Sequence, residues 1–135
     1  MSRDENIAAL STIVPIVQRR AWDQLDEVIA PNVVDHDPDE GQPPGSAGIK
    51  WYWRNYTAAF PDFRAELVAL SADDDYATLV VQHFGTHTAE YEGFAPTGRP
   101  FSIRSIHVVK FADGLVVERW GAGDMLGLRQ QLGLM

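Results

Sequence analysis

No cysteine occurs among the 135 residues, which excludes disulfides, thiol nucleophiles and thiolate metal sites. Basic residues are scarce as well: 11 Lys and Arg stand against 19 Asp and Glu, for a net charge of −8. Without Lys/Arg clusters a chain cannot neutralise a phosphate backbone, so no nucleic-acid partner is expected. The same charge disfavours an anionic membrane surface. No apolar run approaches membrane-spanning length. The opening Met1-Ser2-Arg3-Asp4-Glu5-Asn6 is polar and acidic and lacks the basic-then-apolar pattern of a secretory leader, so a cytoplasmic location is expected. Gly-x-Ser-x-Gly, phosphate-loop and dinucleotide fingerprints are all missing, which leaves acyl-serine, nucleotide and nicotinamide chemistry without support. No cofactor is expected.

What is present reads as one ordinary domain over residues 1–135, with 45% hydrophobic and 22% charged residues. Ile7, Leu10, Val14 and Val17 recur at helical spacing from Asp4 to about Arg20, with Pro15 as a kink. A second helix is read over 21–30, ended by Pro31-Asn32, with Asn32 first a cap and second a ligand contact. A third begins at Ser46 and carries Ile49, Tyr52, Trp53, Tyr56 and Phe60 on one face, either core packing or the wall of an aromatic pocket. Four β-rich runs follow: Phe63 to Ser71, Tyr76 to about Thr88, Phe101 to Phe111, and Leu115 to Ala122. Asp73-Asp74-Asp75 reads as a solvated turn. The loop from Ala89 to Pro100 is long enough to be a lid. Asp113-Gly114 is a two-residue hairpin turn. Met125 to Leu132 is a terminal helix that Gly133 ends.

Helices first and strands afterwards predict an α+β fold, a curved antiparallel sheet packed on the N-terminal helices and enclosing a cone-shaped cavity. Strand parity sorts the side chains. Leu79, Val81, His83, Gly85 and His87 share one face, and Ile103, Ser105, His107, Val109 and Phe111 another. Val116, Glu118, Trp120 and, if no β-bulge intervenes, Ala122 and Asp124 share a third. These faces are mainly apolar with a few polar groups, the make-up of a small-molecule pocket. Asp124 stands at a strand-to-helix junction beside Trp120 and Met125. Its position allows two readings: a carboxylate raised in pKa by apolar surroundings, or an N-cap of the last helix.

The chain resembles the SnoaL-like polyketide cyclases of the NTF2-like superfamily. The matching pieces are Val34-Asp35-His36-Asp37-Pro38, Phe60-Pro61-Asp62, Gly85-Thr86-His87-Thr88, Gly93-Phe94-Ala95-Pro96-Thr97-Gly98-Arg99, and Asp113-Gly114 through Glu118-Arg119-Trp120 to Asp124 and Gln131-Leu132-Gly133. They run in family order over nearly the whole chain. Val80-Val81 departs from the family, which often has Arg-Trp there. The resemblance implies the cone-shaped α+β barrel, a homodimer or tetramer, and a cofactor-free aldol-type ring closure with Asp124 as general acid/base.

The expected function is therefore a cofactor-independent cyclase or isomerase of a small hydrophobic carbonyl-bearing substrate. His107, His87 and His36 would polarise the carbonyl or stabilise an enolate. Trp120, Asn32, Trp53, Tyr56, Phe60, Ser105 and Met125 would line the substrate site, and His83 ranks last among the histidines. A zinc site from His83 and His87 with His36 or Asp124 is disfavoured, because no His-x-His or His-Glu-x-x-His spacing occurs. Epoxide hydrolysis would need an Asp–Arg–Asp set, and Arg104, read as the only mid-strand arginine, points away from the face of His107. A non-catalytic carrier or sensor of a hydrophobic ligand needs only the pocket.

Overall fold

In a computed structural model, which describes residues 2–135, the chain begins with α1 (Arg3–Ser11) and α2 (Ile13–Gln18). Ser2 caps α1 in a reciprocal box with Glu5. The helix breaks at Thr12 rather than at Pro15 itself. The cause is Pro15, whose ring collides with the carbonyl four residues earlier and which has no N–H to give.

Residues 21–30 are not an α-helix. A 3₁₀ turn spans Trp22–Glu27, and β1 runs Ile29–Asp35 straight through Pro31-Asn32. The β-branched Val28, Ile29, Val33 and Val34 favour the extended chain. Pro31 is tolerated because β1 is an edge strand, hydrogen-bonded only to β5. The helix α3 (Gly45–Ala58) follows, then β2 (Arg64–Ala72), β3 (Tyr76–Thr86), β4 (Pro100–Ala112), β5 (Leu115–Gly123) and α4 (Met125–Leu132).

The sheet order is β1-β5-β4-β3-β2. Pairings among β2 to β5 are antiparallel, as expected, but β1 joins β5 in parallel, so the sheet is mixed and open. The β4–β5 hairpin turns at Asp113-Gly114, where both residues have positive φ (51° and 84°). Leu10, Ile16, Leu25 and Ile49 from the helical segments pack on Leu79, Val81, Val109, Phe111 and Val116 of the sheet. A second cluster around Phe60, Phe63, Phe101 and Ile103 is closed by Leu128 and Leu132 of α4. Asp73 and Asp74 do more than solvate a tip. Their carbonyls accept from the buried Asn6 amide, and the Asp74 carboxylate accepts the Arg3 N–H, which moors α1 to the β2–β3 turn.

One irregularity governs the site. The β4–β5 register steps from Phe111↔Val116 to Lys110↔Glu118, so Val117 is an extra residue. Such a bulge reverses the facing of every residue beyond it. Arg119, Gly121 and Gly123 lie across from Val109, His107 and Ser105, on the inner face. Glu118, Trp120 and Ala122 are turned outward.

Candidate active site

An apolar cavity of about 70 Å³ lies between the helices and the sheet, walled by residues such as Val14, Ile49, Trp53, Leu79, Val81 and Val116. Its polar lining is His107 and Arg119. β4 carries His107 and β5 carries Arg119 across the bulge. The Arg119 guanidinium donates through Nη1 to Asp35 Oδ1 at 2.8 Å and through Nη2 to His107 Nδ1 at 3.0 Å.

Asp35, at the end of β1, is built to stay an anion. Burial would push its carboxyl up, but Gln42, the Arg119 charge and the Asp37 N–H outweigh this and hold it below 3.8. His107 and His83 are held neutral. Burial pushes His107 down to about 3, helped by the Arg119 charge and by His83. Burial alone takes His83 down to about 4.

Behind His107 runs a chain of polar contacts. Ser105 Oγ lies 3.0 Å from His107 Nε2 and 2.7 Å from His83 Nε2, and His83 Nδ1 lies 3.3 Å from the Tyr56 hydroxyl. His83, Ser105 and Tyr56 are each 5% exposed or less. Trp53 packs on this group at a tilt, its ring 5.8 Å from that of His83 and 6.3 Å from that of His107. A held cation beside an apolar space can bind a carbonyl oxygen and stabilise the negative charge that develops on it.

Of the sequence candidates, His107, Ser105, Tyr56 and Trp53 come together here. The others do not. Asp124 is exposed at the N-cap of α4, where Oδ1 accepts the Gly127 N–H at 2.9 Å, and it lines no part of the cavity. The apolar surroundings expected of it are absent. Trp120, turned outward by the bulge, stacks at 4.6 Å on His36, whose Nε2 lies 3.0 Å from Glu118 Oε1. His87 is fully buried beyond the end of β3, where its Nδ1 accepts the Thr97 N–H and holds the 87–99 loop in place. Phe60 is wholly within the second core cluster. Asn32 is exposed on the edge strand. Met125 lines a separate hollow of about 640 Å³ with Tyr52, Tyr56, Tyr91 and Arg129.

Sequence reading missed Arg119 and undervalued His83 and Asp35. Arg104 does point outward, exposed, as expected. The arginine of the cavity is Arg119, two residues past the bulge. Among the described residues, no group of three or more His, Asp or Glu side chains is placed to hold a metal ion. Among them, too, no helix is long and apolar enough to cross a membrane.

Residues 8–132 match the model of the SnoaL-like polyketide cyclase family. Aklanonic acid methyl ester cyclase AcmA of Streptomyces galilaeus is 27% identical over 134 residues, covering 96% of this chain and 91% of the relative. AclR of Streptomyces galilaeus, a candidate hydroxylase, superposes with a TM-score of 0.86 at 28% identity, over 99% of each chain. TsrD of Streptomyces laurentii shares the fold, with a TM-score of 0.90 at 23% identity, over 100% of this chain and 99% of that one.

Proposed function

The chain belongs to the SnoaL-like polyketide cyclase family, and we propose that it closes a ring, or isomerises, within a small hydrophobic carbonyl-bearing, polyketide-like substrate without a cofactor. The observation that carries this reading is the Arg119 guanidinium, pinned between Asp35 and His107 at the wall of an apolar cavity. A substrate carbonyl oxygen accepts from Arg119. A solvent water takes a proton from the adjacent carbon, which puts negative charge on that oxygen, and the fixed cation lowers the energy of the resulting enolate. The enolate carbon then attacks the carbon of a second carbonyl, a C–C bond forms as that C=O π bond opens, and the new alkoxide takes a proton back from solvent.

Asp124 is the acid/base that the family resemblance implies, and its capped, exposed position weighs against that role. Two variants separate the possibilities, assayed on a panel of dicarbonyl esters that includes the aklanonic acid methyl ester named for the relative. Arg119→Lys keeps the charge but cannot bridge Asp35 and His107 together, and kcat is expected to fall by about 10²–10³. Asp124→Asn keeps a good N-cap and is expected to stay within a few-fold of the parent. The reverse ranking would return the acid/base role to Asp124 and overturn the Arg119-centred reading.

Epoxide hydrolysis regains an arginine in Arg119, but its carboxylate partner is poorly suited. Asp35 accepts from Arg119, Gln42 and the Asp37 backbone, and a carboxylate so stabilised is a weak base for water. A carrier would need the apolar walls and no pinned guanidinium; binding without turnover across the panel would favour it. The reading further includes a homodimer formed through the outer sheet face, where Val34, Tyr76 and Ile106 are 50%, 41% and 47% exposed.

A further inference from the structure

We propose that Ser105, His83 and Tyr56 are positioning residues: they form a one-way hydrogen-bond relay, its direction set by Arg119, that holds the His107 ring in place and, through it, the orientation of Arg119. The direction follows from donor accounting. A guanidinium only donates, so His107 Nδ1, 3.0 Å from Arg119 Nη2, must be the acceptor. A neutral imidazole then carries its hydrogen on Nε2, which donates to Ser105 Oγ at 3.0 Å. Ser105 has one hydrogen and already accepts from His107, so across its 2.7 Å contact to His83 Nε2 it is the donor. His83 therefore carries its hydrogen on Nδ1 and donates to the Tyr56 oxygen.

The opposite setting of His83 would place two donors on Ser105 Oγ and leave the Ser105 hydrogen without an acceptor at a site 4% exposed. In the direction assigned, the one spare hydrogen sits at the end of the relay, on Tyr56, a residue that also lines the 640 Å³ hollow. Two adjacent histidines thus hold opposite tautomers, and the asymmetry originates in Arg119.

Gly121 is part of the device. It stands across from His107 in the β4–β5 ladder. A Cβ there would collide with Arg119 Nη2, and would lie 2.8 Å from Arg119 Cζ and 2.9 Å from His107 Nδ1. The Arg119–His107 bridge passes over the bare backbone of this residue, so any side chain at 121 must displace it. With one edge of the guanidinium on Asp35 and another on the His107 lone pair, its remaining N–H groups have no protein partner among the described residues and are available to a ligand.

The bearing on turnover rests on the role given to Arg119 above; the tautomer assignment does not. Long-range ¹H–¹⁵N correlation spectra of the full chain, with ¹⁵N-labelled histidine at pH 7, read the tautomers directly. The expected result is His107 protonated on Nε2 and His83 on Nδ1, each as a single form. The same tautomer at both, or averaging at either, overturns the relay. Ser105→Ala should release His83 into a mixture of tautomers and lower kcat about three- to tenfold with KM little changed, the size of one neutral hydrogen bond. Ser105→Thr, which restores the hydroxyl, should recover both. Unchanged kcat in Ser105→Ala with the parent tautomers intact contradicts the positioning role. If no variant and no parent protein turns over any substrate, the functional reading fails while the spectra still decide the relay.

Discussion

At the scale of single residues, two neutral histidines, one buried and one half-buried, and one paired carboxylate set how the protein responds to acid. His83 and His107 have folded values of about 4 and about 3, against an ordinary 6.5. The unfolded chain therefore binds more protons than the native state below 6.5, and stability falls as pH drops through that point. Each histidine contributes a loss of up to about 1.4 kcal/mol per pH unit, so the pair costs up to about 4 kcal/mol between pH 6.5 and 5. Asp35 acts in the same direction only at lower pH: its folded value lies below 3.8, so its stabilisation is present above that and is lost as pH falls through the folded value. Urea denaturation at pH 7, 6 and 5 should show this steep early loss. A His83→Gln variant should flatten part of it, and a flat parent profile over that range would contradict the burial of both rings.

Residue chemistry also explains what the sequence did and did not disclose. His107 and Ser105 are legible because β4 alternates without interruption, and Val109 and Phe111 mark its buried face. His83 shares a face with Leu79 and Val81, and that itself was the signal: a histidine in a wholly apolar row must find a polar partner on the next strand. Ser105, paired with Val81 across the ladder and so diagonal to His83, is that partner.

At the scale of elements, one inserted residue separates expectation from structure. Parity counted from the Asp113-Gly114 turn puts Trp120 inside and Arg119 outside. The bulge at Val117 exchanges them. Val116 and Val117 are both apolar, so either could face the core, and no periodicity in the sequence marks which is the extra residue. Residues 21–30 mislead for a different reason: Trp22, Leu25 and Ile29 recur at helical spacing, and only the short Val28-Ile29-Ala30 run marks the start of β1. The Met125–Leu132 helix was read with its Gly133 stop, and Gly133 does adopt a left-handed φ of 75°. Its start shows what Asp124 does in the fold. Removing the capping oxygen with Asp124→Ala should cost about 1 kcal/mol of stability, whereas Asp124→Asn should cost little. Thermal denaturation of both variants checks this, and equal losses would mean that the cap bond contributes nothing.

At the scale of the whole molecule, the open sheet leaves one face covered by helices and the other bare. Exposed Val34, Tyr76 and Ile106 lie on that bare face, with Trp120 6.3 Å from Tyr76, ring to ring. A second copy would cover these side chains, and Ile106→Lys should then yield a monomer by sedimentation equilibrium. A parent protein that is monomeric at high concentration would contradict the dimer. The internal cavity, at about 70 Å³, is well below the roughly 300–1,000 Å³ of sites that enclose a drug-sized ligand. Under the proposed function it would take the reacting carbonyl rather than a whole substrate.

The central claim is that Arg119 meets the substrate's carbonyl oxygen inside this cavity. Isotope-edited infrared spectroscopy of a bound, unreactive ketone analogue, with its carbonyl carbon labelled, tests that contact without relying on turnover. The account predicts a carbonyl stretch at lower frequency in the parent protein than in water, shifted back upward in Arg119→Lys and unaffected by Asp124→Asn. A stretch that is the same in the parent and in Arg119→Lys, or that moves only with Asp124, would contradict it.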